Sequence, residues 1–304
     1  MNAPMKLTAY AAGLAVIFGG ALVVGAAMDP GGPSTAAHGH TPAPSPDGGL
    51  EIPGGLQVSE AGYTLTPSTT DLPAGETTDF RFTVTGPDGT PVTGFQVRHD
   101  KKLHLIVVPR DLSGFQHLHP ALAADGTWSV KLAVPRAGAY RMYADFAPDD
   151  AEPLTLGTDL FAQGPYEPEA LPEPARTATV DGYTVTLDGE PTPGESSRLT
   201  LKVSKDGRPV TDLQPYLGSY GHLVALRAGD LAYLHVHPDG EPGDGKTAPG
   251  PGITFHTEVP SRGTYRLYLD FQHAGTVRTA AFTVTVTART TTAPGTADPA
   301  EHGH

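Results

Sequence analysis

His104 and His117 stand thirteen positions apart, as do His222 and His235. Each pair runs on to a further histidine and a proline: His104…His117-Leu118-His119-Pro120 and His222…His235-Val236-His237-Pro238. Imidazole is the commonest metal-ligand side chain, and three on paired strands can converge on one ion. Across the 17 aligned positions 104–120 and 222–238, five residues are identical, and three of those five are histidine. Other domain histidines do not recur: His99 aligns with Leu217, Lys131 with His256, and Pro148 with His273. Divergence has therefore spared the ligand-type positions. The chemistry expected is metal binding, with one site per copy: His104, His117 and His119 in the first, His222, His235 and His237 in the second. Asp145 and Asp270 are secondary candidates, on the polar face of a strand that also carries Arg141/Tyr143 or Arg266/Tyr268. A structural Arg–Asp or Tyr–Asp contact is their alternative role. His273 and His256 are options in the second copy only.

The elements that must position these residues read as strands. Leu103–Val108 and Phe115–His119 form a hairpin around Pro109–Gly114, and Val108 opposite Phe115 puts His104 opposite His119. Opposed Cβ atoms in such a ladder lie about 5 Å apart, and His117 and His119 share a face because side chains alternate along a strand. A slip of one residue would send His104 to the other face. That face also bears Ile106, Val108 and Phe115, matched by Val224, Leu226 and Tyr233, so the cluster is expected at the edge of an apolar layer. Imidazoles there are costly to charge and need partners, which a metal would supply.

Ligand type narrows the metal. There is no cysteine among the 304 residues, which excludes disulfides, thiolate zinc sites, iron–sulfur clusters and the His2Cys blue-copper centre. Of four methionines only Met142 lies inside a domain, on the apolar face, so a thioether copper(I) site has little to draw on. Imidazole suits copper(II) or zinc(II), with copper(II) the tighter binder. A net charge of −13 argues against nucleic acid, which needs clustered Lys and Arg.

The histidine pattern belongs to a longer internal repeat. Gly62-Tyr63-Thr64-Leu65 recurs as Gly182-Tyr183-Thr184-Val185, Asp88-Gly89-Thr90-Pro91-Val92-Thr93 as Asp206-Gly207-Arg208-Pro209-Val210-Thr211, and Tyr140–Phe146 as Tyr265–Phe271. Within each copy apolar residues alternate with polar ones, as at Phe80, Phe82 and Val84, and Asp-Gly turns follow. With 37 Gly and 31 Pro, long helices have no room. The fold class is all-β: two tandem immunoglobulin-like or cupredoxin-like antiparallel β-sandwiches after an N-terminal hydrophobic helix. Residues 1–28 read as a signal anchor or signal peptide, 29–50 as a flexible linker, 51–166 as the first sandwich, 167–176 as a linker, 177–288 as the second sandwich, and 289–304 as a tail. The uncharged stretch Thr8–Ala27 is long enough to span a bilayer, and Lys6 before it favours an inside amino end. Gly25-Ala26-Ala27 also offers a cleavage site. Either way the sandwiches lie outside the cytoplasm. The linker and the tail each carry His-Gly-His, at His38/His40 and His302/His304.

The secretion segment, the Asp-Gly-x-Pro-Val turn and the histidines at strand ends resemble the CopC-like and YtkA-like extracytoplasmic β-sandwich proteins of bacterial copper handling. The Phe/Tyr-x-His-x-His-Pro and Tyr-Arg-x-Tyr-x-Asp-Phe motifs are similar to those of actinobacterial secreted tandem-repeat proteins. The resemblance implies an envelope metal carrier, buffer or chaperone for copper(II) or zinc(II), passing its ion to a membrane transporter or an envelope protein. In CopC-like proteins an amino-terminal histidine of the mature chain binds copper; here the linker displaces any such residue. Two other readings stand beside it: a structural or adhesive tandem sandwich without a metal, and a His-ligated metalloenzyme with Asp145 or Asp270 as general base.

Overall fold

The computed structural model describes residues 52–234 and 236–287; the segment read as a signal or anchor, the linker and the tail lie outside the described residues. The fold is all-β, two tandem immunoglobulin-like sandwiches, and among the described residues no helix is long and apolar enough to cross a membrane.

The first sandwich contains β1 (Ser59–Glu60), β2 (Tyr63–Pro67), β3 (Asp71–Leu72), β4 (Glu76–Thr85), β5 (Leu103–Pro109), β6 (Gln116–Leu118), β7 (Ala121–Leu122), β8 (Thr127–Val134), β9 (Gly138–Phe146) and β10 (Leu154–Ala162). Its sheets run β1-β2-β4-β8-β7 and β3-β10-β9-β5-β6. The second contains β11 (Thr177–Val180), β12 (Tyr183–Asp188), β13 (Ser196–Lys205), β14 (Arg208–Pro209), β15 (His222–Arg227), β16 (Tyr233–Leu234), β17 (Val236–Pro238), β18 (Gly252–Glu258), β19 (Gly263–His273) and β20 (Thr276–Val286). Its sheets run β11-β12-β13-β18-β17, with β14 on β13, and β16-β15-β19-β20. Pairing is antiparallel except where β3 joins β10 in parallel.

Alternation decides which side chains enter each sandwich. Leu103, Leu105 and Val107 of β5 join Phe80, Phe82, Trp128 and Met142 in the first core, and Leu223 and Ala225 of β15 join Leu199, Phe255 and Phe271 in the second. The intervening residues are not solvated. Ile106, Val108, Val224 and Leu226 are fully buried, and with Leu112, Tyr143, Leu231, Tyr233 and Tyr268 they form a third core between the sandwiches. Each buried aliphatic or aromatic side chain contributes about 1.5–3 kcal/mol relative to exposure, so two faces this apolar are driven together. The expectation that Tyr143 and Tyr268 lie on a polar strand face is thereby corrected. Their face is the docking surface, and both rings are buried in it.

Reciprocal bonds pin this seam. The Tyr143 hydroxyl donates to the Leu231 carbonyl at 2.6 Å, and the Tyr268 hydroxyl to the Leu112 carbonyl at 2.9 Å. Leu112 and Leu231 are both left-handed, at φ 58° and 62°, an unfavourable state for a bulky residue. Each is held there by burial of its side chain and by an adjacent aspartate, Asp111 or Asp230, that accepts a backbone N–H two residues on. The segment entering β1 crosses the same seam: Tyr233 N donates to Gly54 O, and Gly55 N to Thr155 O. Gly55 has φ +73°, and any Cβ there would collide with the Tyr143 ring. Changing Tyr143 to Phe leaves the buried Leu231 carbonyl without its donor, which should cost about 1–3 kcal/mol. Urea unfolding of the variant measures it, and a loss under about 0.3 kcal/mol would mean that the bond does not hold the seam.

Candidate metal centre

The third core ends in a cluster of imidazoles. β5 and β6 pair with Leu105 opposite Leu118 and Ile106 opposite His117; one step further along this register sets His104 against His119, as the sequence pattern predicts. Ahead of β5, Arg98 and Lys101 pair across a two-residue turn whose central residues, His99 and Asp100, are both left-handed at φ 48° and 63°. This is the primed-turn geometry of a tight hairpin. It brings the Arg98 carbonyl over β5, where His104 Nε2 donates to it at 3.1 Å. The second copy repeats the device with Tyr216 and Ser219 around Leu217 and Gly218, which is why Leu217 stands where the first copy has His99.

The two copies meet here rather than building separate sites. His117 Nδ1 lies 2.8 Å from Asp270 Oδ2, across the seam, with those side chains only 2% and 3% exposed. Thr279 also donates to Asp270. His104 Nδ1 lies 3.0 Å from His117 Nε2. The His222 ring stacks on His104 with centroids 5.4 Å apart and stands 4.7 Å from His117. His119 lies 4.8 Å from His117 and 5.1 Å from His104. One nitrogen each of His104, His117 and His222 fall within 4.8 Å of one another.

Proton bookkeeping makes this arrangement informative. A carbonyl only accepts, so His104 carries its proton on Nε2 and keeps a lone pair on Nδ1. An ionised carboxylate only accepts, so His117 carries a proton on Nδ1 toward Asp270. In the neutral state two lone pairs then face each other at 3.0 Å, which calls for a cation between them, either a proton or a metal. His222 Nδ1 and His119 Nε2 are buried beside them with no hydrogen-bond partner among the described residues. Buried polar atoms are rarely left so.

Electrostatics keep much of the cluster neutral. Burial, and then the neighbouring His117, push His104 down to about 3 and His119 down to about 4. Burial holds His222 well below the ordinary imidazole value, again with His117 next in effect. His99 is lowered by burial and then by Arg98. Neutral imidazoles present lone pairs, which is the state a metal needs.

The other predicted residues fall elsewhere. Asp145 pairs with His104 in the β5–β9 ladder and accepts from Thr155 at 3.0 Å; burial raises its carboxyl above the usual range. His235 lies outside the described residues. His237 is exposed in β17, opposite His256 of β18. His273 sits between the Tyr183 hydroxyl at 2.6 Å and Asp212 at 3.1 Å, in a structural contact away from the cluster. His222 and His237 are thus drawn apart, His222 to the first copy's cluster and His237 to the opposite sheet. β6 stays on β5 through Leu118, whereas β16 leaves β15 after Leu234 and the chain crosses to the opposite sheet as β17. This earlier crossing places His237 in the opposite sheet, still near His99, while docking carries His222 into the first copy's cluster. Sequence reasoning passed over His99, whose ring stands 5.9 Å from His222 and 6.1 Å from His104. It does not recur in the second copy, so a repeat-based reading has no signal for it.

A family model described as a domain of unknown function (DUF8832) matches residues 57–156 and again residues 178–288. No curated protein matches the chain. Solved structures similar to it include the Escherichia coli adhesin FdeC, at 16% identity over 76% of this chain and 65% of that one, TM-score 0.24. Invasin, a bacterial integrin-binding protein, is similar at 13% identity over 74% and 39%, TM-score 0.22. Yersinia pseudotuberculosis InvD is similar at 17% over 78% and 61%, TM-score 0.23. This chain spans less than two thirds of each of those three.

Proposed function

We propose that this chain, which belongs to the DUF8832 family through both of its sandwiches, binds one divalent transition-metal ion on imidazoles shared between them. His104 Nδ1 and His117 Nε2 are two ligand atoms, and His222 supplies the third from the other copy. His119 and His99 flank the site. Asp270 acts behind His117, the carboxylate–histidine arrangement that fixes the tautomer and raises ligand basicity. The observation that carries the reading is the 3.0 Å approach of two imidazole nitrogens whose partner nitrogens are both committed as donors. At metal–nitrogen bonds of about 2.05 Å, a right-angle bite separates two ligands by about 2.9 Å and a tetrahedral one by about 3.3 Å. The observed spacing is within reach of either bite, and an all-imidazole set suits copper(II) or zinc(II). The role is binding rather than turnover: a carrier, buffer or chaperone outside the cytoplasm, held to the membrane or secreted through residues 1–28. A membrane transporter or envelope protein is the receiving partner.

A second reading draws on the seam itself. Its apolar core and reciprocal tyrosine bonds fix two sandwiches together without an ion, as a structural or adhesive module requires. One titration separates the two. The full chain, with His38, His40, His302 and His304 changed to Ser, is titrated with copper(II) and zinc(II). One tight equivalent is expected. His104→Ala, His117→Ala and His222→Ala should each remove that same equivalent, and Asp270→Asn should weaken it 10–100-fold. Tight uptake that survives all three alanine changes would overturn the metal reading and leave the module.

A further inference from the structure

The early crossing that takes His237 from the shared cluster gives it a different neighbour. β17 pairs with β18 so that His237 stands directly opposite His256, and Pro238 opposite Phe255. Directly opposed side chains on an antiparallel pair have Cβ atoms about 4.5–5.5 Å apart, a separation that lets two imidazoles reach one ion. Carboxylates surround the pair. Asp239, the next residue after β17, brings Oδ2 to 3.7 Å from His256 Nε2, and Arg198, directly opposite His256 in the β13–β18 ladder, lies 3.9 Å from the same oxygen. Glu258, two residues beyond His256, shares its face of β18. His237, His256 and Glu258 all line a cleft of about 450 Å³, whose far wall is Ile52, Pro53, Gly54 and Thr155.

We infer that His237 and His256 form a second metal site, open to solvent, for a divalent transition ion of the copper(II), nickel(II) or zinc(II) class. The donor set is two imidazoles with a carboxylate in reach, and solvent fills the remaining positions. It differs from the seam site in kind. The His256 side chain is 46% exposed where His117 is 2% exposed, so ions enter and leave without the sandwiches parting. That makes it the place for capture and hand-over, with affinity below that of the three-imidazole site. It has no counterpart in the first copy, where Lys131 aligns with His256.

The test uses the full chain with the four linker and tail histidines changed to Ser, titrated with copper(II) and followed by isothermal calorimetry and electron paramagnetic resonance. Two classes of bound ion are expected in the parent. His256→Ala and His237→Ala should each weaken the second class at least tenfold and leave the first unchanged. Both side chains are exposed, and circular dichroism should show unaltered unfolding. A second class that persists in both variants overturns the inference, as does a parent with only one class that neither variant touches. Loss of the tight class alone in a His222→Ala chain leaves this site standing, and a parent whose single class vanishes in His256→Ala supports it while refuting the shared seam site.

Discussion

Changing Val224 to Asp is expected to abolish tight metal uptake although no imidazole is altered. Val224 is fully buried in the core between the sandwiches and lies two residues from His222 on the same face of β15. A carboxylate there is buried among the apolar side chains of that core, and a buried charge left unpaired costs about 3–5 kcal/mol. That is comparable with the burial energy of two or three of the aliphatic side chains that hold the seam. The cheapest relief is to part the sandwiches, each of which keeps its own core. His222 and Asp270 would then leave with the second sandwich and His104 and His117 stay with the first, so the ligand set is split. Copper(II) titration should show the tight class gone, and thermal unfolding should broaden or resolve into two transitions. Val277→Asp, at a position already 39% exposed, serves as the control and should change neither. Tight uptake retained by Val224→Asp with the seam demonstrably open would show that the ion is held within one sandwich.

The metal-free protein should lose stability as pH falls from about 6.5 toward 4, above the range in which ordinary carboxylates titrate. The sign follows from where protons bind. In the unfolded chain an imidazole takes up its proton near 6.5, whereas His104 in the folded state resists protonation down to about 3. Between those values the unfolded state holds more protons, so each step down in pH favours unfolding. The slope for one such group is about 1.4 kcal/mol per pH unit, or about 2 kcal/mol between pH 6.5 and 5. His222 acts in the same direction. His119, lowered to about 4, adds a smaller share because solvent screens it. Above 6.5 these three imidazoles are neutral in both states and their effect is absent. Urea midpoints measured with chelator at pH 7.5, 6.5, 5.5 and 5.0 should fall across the last three. His104→Asn should flatten the fall. Saturating copper(II) should lift the midpoint at pH 6.5, since a ligand at a hundred times its dissociation constant adds about 2.7 kcal/mol. A flat profile in the parent would mean that the imidazoles are hydrated and the cluster open.

Much of this was legible in the chain. Alternation at Phe80–Val84 and Leu199–Val203 foretold strands, the Asp-Gly turns foretold their connections, and the internal repeat foretold two like sandwiches. The β5–β6 register, and with it the approach of His104, His117 and His119, followed from two apolar runs around a short connection. These are local properties: side-chain period, turn chemistry and the pairing of neighbours in sequence. The absent cysteines confined the ligand chemistry to imidazole before any geometry was known.

Which histidines share a site was decided by docking. The strand faces bearing Ile106, Val108, Val224 and Leu226 resemble the inner faces of ordinary sandwiches, and nothing local says that they bury against each other. Their burial brings His222 and Asp270 of the second copy to His104 and His117 of the first, residues more than a hundred positions apart. A crossing from β15's sheet to β18's, two residues earlier than its counterpart, takes His237 to the other sheet and pairs it with His256. The repeat therefore determined the residue types and the hairpin geometry by itself. Tertiary structure turned two expected sites into one shared cluster and one open pair, because burying apolar surface between the sandwiches acts on whole faces and takes their polar ends along.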